Sequence, residues 1–182
     1  MNYTLPLTIV NNIGERLTFE RITIKDGVEY LEVSNEVKPN AGPPMHVHHR
    51  QDESITVTEG KMGHQVLGEE PKYAGPGETV LFKAGIAHKF WNAGNDLLRG
   101  TGYVTPADNI VYFLSQIYKS ANANGGRPAT YDAAYLLNRY KSEFAMLDIP
   151  AFVQKVIFPI TLLVGNLQGK NKKFKDAPAP VK

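Results

Sequence analysis

The chain has 182 residues, with 20 Lys and Arg against 18 Asp and Glu, a formal charge of +2 and 42% hydrophobic residues. That length suits one domain with a full core and excludes a second of ordinary size, and the near balance of charge raises no field strong enough to point to nucleic acid or an anionic membrane surface. Cysteine is absent, which excludes disulfides, thiolate nucleophiles and sulfur-rich zinc sites, so any metal must rest on nitrogen and oxygen.

In chain order, the start MNYTLPLTIVNN lacks a basic region followed by a long apolar run, so no secretory signal is evident and a cytoplasmic location is expected. From Leu17 to Val104 short β-type runs alternate with turn residues, which predicts an all-β domain of about eight or nine strands. LTFERITI and EYLEVSNEV flank Asp26-Gly27, a hairpin signal. Pro39, Asn40, Gly42, Pro43 and Pro44 form a stiff loop leading to His46. In SITVTEG, Ile55 and Val57 share one face with Glu53, opposite Ser54, Thr56 and Thr58. Later runs are broken by Gly68, Gly75-Pro76-Gly77, Gly85 and Gly94.

At Thr105-Pro106-Ala107-Asp108 a capping residue followed by proline predicts a helix, continued by Ile110, Leu114 and Ile117 at helical spacing. A polar loop, Ala121 to Arg127, leads to a second helical stretch with Tyr131, Tyr135, Leu136, Tyr140 and Phe144 on its apolar face. A third is expected from Pro150 to Gln168, bent by Pro159 and weakened by Gly165. Its apolar run, Val156 to Val164, is about half of the ~20 residues a membrane span needs, so no membrane span is expected. This surface should pack on the barrel or in a homodimer interface. The basic, Pro/Ala-rich end reads as disordered. The expected division is a barrel domain over 1–105, a helical extension over 106–168 and a disordered tail over 169–182.

Four of the five histidines lie between positions 46 and 64, with His88 further on. Alternate residues of a strand share a face, so His46 and His48 point together while Val47 points away. Glu53 opens the next strand toward the same interior, and His88 heads a later strand. Three imidazoles and a carboxylate suit one divalent ion, whether Fe, Mn, Ni, Cu, Co or Zn. His49 falls on the outer face by parity, and His64 shares an apolar face with Met62 and Val66, as a core histidine or a cavity neighbour. Phe82, Phe90 and Trp91 read as core, with a pocket lining as the alternative.

The series His46-x-His48-x4-Glu53-x6-Gly60 and Gly77-x5-Lys83-x-Gly85-x2-His88-x3-Asn92 resembles the two motifs of the cupin superfamily, in its small bacterial form. Two turn positions depart from that pattern, Asn40 where glycine is usual and Lys83 where proline is usual. The resemblance spans Leu17 to Val104 and implies a double-stranded β-helix, or jelly-roll barrel, with a metal near one mouth and a C-terminal helical extension outside it. Fold alone does not give function. The resemblance implies a metal-dependent oxidoreductase of the dioxygenase type, quercetinase-like, acting on a small enol or phenolic substrate, with Glu53 doubling as catalytic proton acceptor. A non-catalytic binding or storage protein is the alternative, and a sugar isomerase or epimerase a third.

Overall fold

The computed structural model describes residues 3–182. Asp26 and Gly27 both take positive φ, 51° and 76°, as a two-residue hairpin turn requires, and they join β2 (Glu15–Lys25) to β3 (Val28–Val37). The remaining strands in chain order are β1 (Leu7–Val10), β4 (His46–His48), β5 (Asp52–Glu59), β6 (Met62–Val66), β7 (Lys72–Ala74), β8 (Thr79–Phe82), β9 (His88–Asn92), β10 (Leu98–Thr105) and β11 (Phe144–Met146). They form two antiparallel sheets, ordered β1-β2-β3-β10-β5-β8 and β11-β4-β9-β6-β7. Consecutive strands lie in different sheets at several steps, so the chain winds back and forth across a jelly-roll barrel with helices at its C-terminal end. Inside, Val37, Ile55, Val57, Met62, Phe82, Phe90 and Leu98 form one buried cluster. Each such side chain contributes roughly 1.5–3 kcal/mol on leaving water.

A second cluster joins the barrel to the helical part. Phe19, Leu31 and Val104 of the larger sheet pack with Ile110, Val111 and Phe113 of α1 (Ile110–Ala123), Leu136 of α2 (Thr130–Arg139), and Tyr140 and Phe144. The helical third therefore shares the core of the barrel.

Three local expectations are corrected. The first helix begins at Ile110, four residues beyond Pro106, because Asp108 takes a left-handed backbone (φ 40°) that no α-helix continues through. Phe144 is not on a helix: α2 ends at Arg139, and Phe144 lies in β11, whose register sets it against His48. The segment 169–182, expected to be disordered, is ordered along the surface. Arg139 donates to the carbonyls of Ala177 and Pro178 (3.0 and 2.8 Å), and Phe174 is buried with its ring stacked on Tyr135 at 4.3 Å. Its lysines stay exposed while its backbone carbonyls and one aromatic ring are captured, which composition does not reveal.

The third helical stretch contains the proline as a change of helix type. A π-helical turn, Val153–Ile157, runs into α3 (Phe158–Leu167), and the Phe158 N–H bonds Val153 O, an i to i−5 step placed where Pro159 has no N–H to offer. Gly165 has a packing role: a Cβ there would lie 2.1 Å from the Tyr131 ring of α2. Its lack of a side chain lets the two helices meet.

Candidate metal centre

Strand β4 carries His46 and His48, with side chains 14% and 8% exposed, and pairs with β9 so that His46 faces His88 across the ladder. Glu53, from β5 of the opposite sheet, reaches into the same space. Its Oε2 lies 3.0 Å from His88 Nε2, 3.6 Å from His48 Nε2 and 3.9 Å from His46 Nε2. One ligand atom from each of the four residues lies within 4.8 Å of the others, a group that could hold a metal ion. The rings are braced: Phe82 stacks on His88 at 3.9 Å, and Phe144 packs edge-on to His48 at 5.4 Å.

The outer nitrogens decide what this group can do. His46 Nδ1 donates to the Pro44 carbonyl at 2.9 Å, His88 Nδ1 to the Ile86 carbonyl at 2.8 Å, and His48 Nδ1 to Gln51 Oε1 at 2.9 Å. Carbonyl oxygens only accept. The Gln51 amide is itself oriented, since its Nε2 donates to the Ala107 carbonyl at 2.9 Å. In its neutral form each of the three rings therefore carries hydrogen on Nδ1 and turns the Nε2 lone pair inward, the arrangement in which imidazoles bind metals. Three lone pairs facing one carboxylate oxygen repel it unless a cation lies among them. Protons or a divalent ion fit that need, and the nitrogen and oxygen donors suit first-row transition ions.

The electrostatics agree. Burial would raise the Glu53 carboxyl, but where protons rather than an ion fill that space, hydrogen bonds from His46 and His88 and the charges of His48 and His46 hold it well below the usual range. Burial lowers His48 to about 4, aided by the charges of His46 and His88 and opposed by Glu53 and the Gln51 bond. Burial also lowers His46, but its bond to Glu53, the Glu53 charge, the Pro44 carbonyl and the more distant Glu15 carboxylate outweigh it, and the net shift is upward.

His46, His48 and Glu53 lie on the wall of a cavity of about 880 Å³. Most of that wall is apolar. Val33, Ile55 and Phe90 come from the strands, and Phe113, Leu114 and Ile117 from α1, which closes the side that the barrel leaves open. Of the residues weighed from sequence, Phe90 lines this cavity while Trp91 covers Gly63 from outside it. His64 lies apart, edge-on to Phe82 at 6.0 Å, and Met45 is buried in the core. Tyr103 is on the outer face against Tyr30 at 5.1 Å, and His49 is exposed as parity predicts. The departures in the motifs are local: Asn40 adopts the positive φ (62°) that glycine would, and Lys83 pairs with Asp52 at 2.7 Å. Sequence reasoning missed Gln51, Phe144 and the wall built by α1. Gln51, three residues after His48, could have been found from spacing alone, since a side-chain carbonyl there is within reach of an imidazole Nδ1.

An antiparallel double-sheet barrel with an imidazole and carboxylate group inside its wall defines a small barrel protein with a candidate metal centre. Residues 34–108 match the family model of the cupin domain. No curated protein matches the sequence. Among solved structures, the chain is similar to KdgF from Halomonas sp. (16% identity, 57% of this chain and 89% of that one, TM-score 0.48). It is also similar to the capsular polysaccharide assembling protein CapF from Staphylococcus aureus (22% identity, 54% and 29%, TM-score 0.47). A third similarity is to a sugar phosphate isomerase of the cupin superfamily from Silicibacter pomeroyi (21% identity, 50% and 59%, TM-score 0.43). The chain thus spans less than a third of CapF, and at these identities no substrate or reaction transfers. Among the described residues no helix is long and apolar enough to cross a membrane.

Proposed function

We propose that this protein is a metal-dependent oxidoreductase of the dioxygenase type, acting on a small enol or phenolic molecule, with His46, His48, Glu53 and His88 as ligands to one divalent ion. The observation that carries this reading is the convergence of three imidazoles and a carboxylate at one point, with His46, His48 and Glu53 of that group on the wall of a large apolar cavity. When bound, such an ion acts as a Lewis acid or redox centre toward an oxygen of the substrate. The chain's own residues do the rest. The apolar wall takes the flat body of the substrate and excludes water, and Glu53 accepts the proton of the enol or phenol hydroxyl. An apolar cavity favours such molecules over sugars, whose hydroxyls would lose water without partners. The protein reconstituted separately with iron, manganese, nickel, copper and cobalt, and supplied with flavonols and simple enols, should consume oxygen with at least one pair, measured at an oxygen electrode. Oxygen uptake by none overturns the dioxygenase reading. Ligand retained through purification without turnover would instead support the binding or storage alternative.

The same reading includes a homodimer. α3 packs inward through Phe158 and Gly165, while Ile160, Leu163, Val164 and Leu167 on α3, and Phe152 and Val156 at the π-helical turn before it, are all exposed. Phe152, Val156, Ile160, Leu163 or Val164, and Leu167 follow one another at steps of three or four, so they make one apolar stripe of the kind that a second copy covers. Leu163→Glu should convert a dimer to a monomer in sedimentation velocity. A monomeric wild type at micromolar concentration contradicts the proposal.

A further inference from the structure

The cavity has a second polar pole, formed outside the segment that matches the family model. Glu15 opens β2 and is 9% exposed; Asn11 precedes it in a turn, and Tyr118 comes from α1. All three side chains are on the cavity wall. Asn11 Nδ2 donates to Glu15 Oε2 at 2.6 Å, and the Tyr118 hydroxyl donates to the same oxygen at 3.3 Å. Asn11 cannot turn away, because its Oδ1 accepts from the backbone N–H groups of Ile13 and Glu15 at 3.1 and 2.9 Å. Both of these donors use one carboxylate oxygen. Among the described residues no hydrogen bond reaches the other, Oε1.

A buried carboxylate held in a fixed orientation, with one oxygen satisfied by protein and the other open to an apolar cavity, is a recognition group for a donor. We infer that Glu15, Asn11 and Tyr118 bind a hydroxyl group of the ligand, so that this cavity selects a flat apolar molecule bearing a metal-binding enol or phenol oxygen at one end and a second hydroxyl at a separate position. Glu15 Oε1 accepts the hydroxyl hydrogen, and the lone pairs of the Tyr118 oxygen offer a second acceptor. The inference rests on the reading that the cavity takes an enol or phenol at the four-residue group, and adds what recognises the remote end. An aliphatic or unsubstituted aromatic ligand leaves Oε1 unpaired, and that omission is what discriminates.

The test uses 3-hydroxyflavone and a set of its derivatives, each with one further hydroxyl at a different ring position, titrated into cobalt-loaded protein with fluorescence as the readout. Wild type should bind at least one derivative about tenfold more tightly than the parent, the worth of one well-made buried hydrogen bond to a charged group. Tyr118→Phe and Glu15→Gln, which conserve shape, should reduce the ratio of derivative to parent affinity while leaving the cobalt content unchanged. Binding of the parent with no preference for any derivative overturns this inference alone. A preference that persists in both variants does the same. Failure of every probe to bind cobalt-loaded wild type overturns both this inference and the enol reading beneath it. The wild-type comparison stands even if a variant fails to fold.

Discussion

Replacing His48 by alanine is expected to weaken cobalt(II) binding near neutral pH by roughly 100-fold or more, as read by isothermal titration against a competing chelator. Outer partners of metal-bound histidines alone are worth about 10–100-fold in affinity, and His48→Ala removes both the ligand and the reason for its partner's placement. Gln51→Leu should give the smaller loss, about 10–100-fold, because the imidazole stays but nothing fixes its tautomer. The order of the two variants is the content of the prediction: equal effects would mean that the Nδ1 bonds do not orient the donors. Acid should weaken binding as well. A proton on Nε2 competes with the ion, and the upward shift at His46 keeps that proton to higher pH than in free histidine. His48, lowered to about 4, carries no competing proton near neutrality. Affinity should therefore begin to fall on acidification above the free-histidine range, as His46 takes up its proton.

Glu143→Ala is expected to cost roughly 3 kcal/mol of folding stability, measured by urea denaturation with circular dichroism. The Glu143 side chain is fully buried. Its Oε2 accepts the Asn109 N–H at 3.1 Å, and its Oε1 accepts from Asn109 Nδ2 at 2.8 Å and from the Val181 N–H at 3.0 Å. Asn109 caps α1, so the carboxylate meets the positive end of that helix and ties the C-terminal segment to it. Removing it strands buried donors that each cost about 1–3 kcal/mol unpaired, though water entering the space offsets part of the loss. Glu143→Gln, which keeps one acceptor oxygen, should cost less than half as much. An alanine variant as stable as wild type would mean that the tail and the α1 start are not coupled through this residue. Because α1 walls the cavity, the same substitution should also weaken ligand binding without changing metal affinity.

What could be seen in the sequence divides by range of contact. The parity of His46 and His48, the inward face shared by Ile55, Val57 and Glu53, and the hairpin at Asp26-Gly27 are local properties, and the barrel strands follow them. The positive φ of Asn40 was likewise legible from its chemistry. Features that depend on distant partners were not. Phe144 looks helical because it is in step with Tyr140, yet pairing with His48, almost a hundred positions away, makes it a strand residue. Glu15 and Tyr118 are 103 residues apart and neither stands in a motif. The tail shows the same limit in reverse, since its composition argues for disorder while Arg139, Tyr140 and Glu143 supply the partners that order its backbone.

X-ray absorption at the metal edge of the cobalt-reconstituted protein, with the metal counted by elemental analysis, bears most directly on the convergence of these four side chains. One ion per chain is predicted, in a shell of nitrogen and oxygen with the outer scattering of three imidazole rings, and that scattering should vanish when His46, His48 and His88 are replaced. A shell without imidazole, or an equally occupied ion after all four ligands become alanine, would contradict the account.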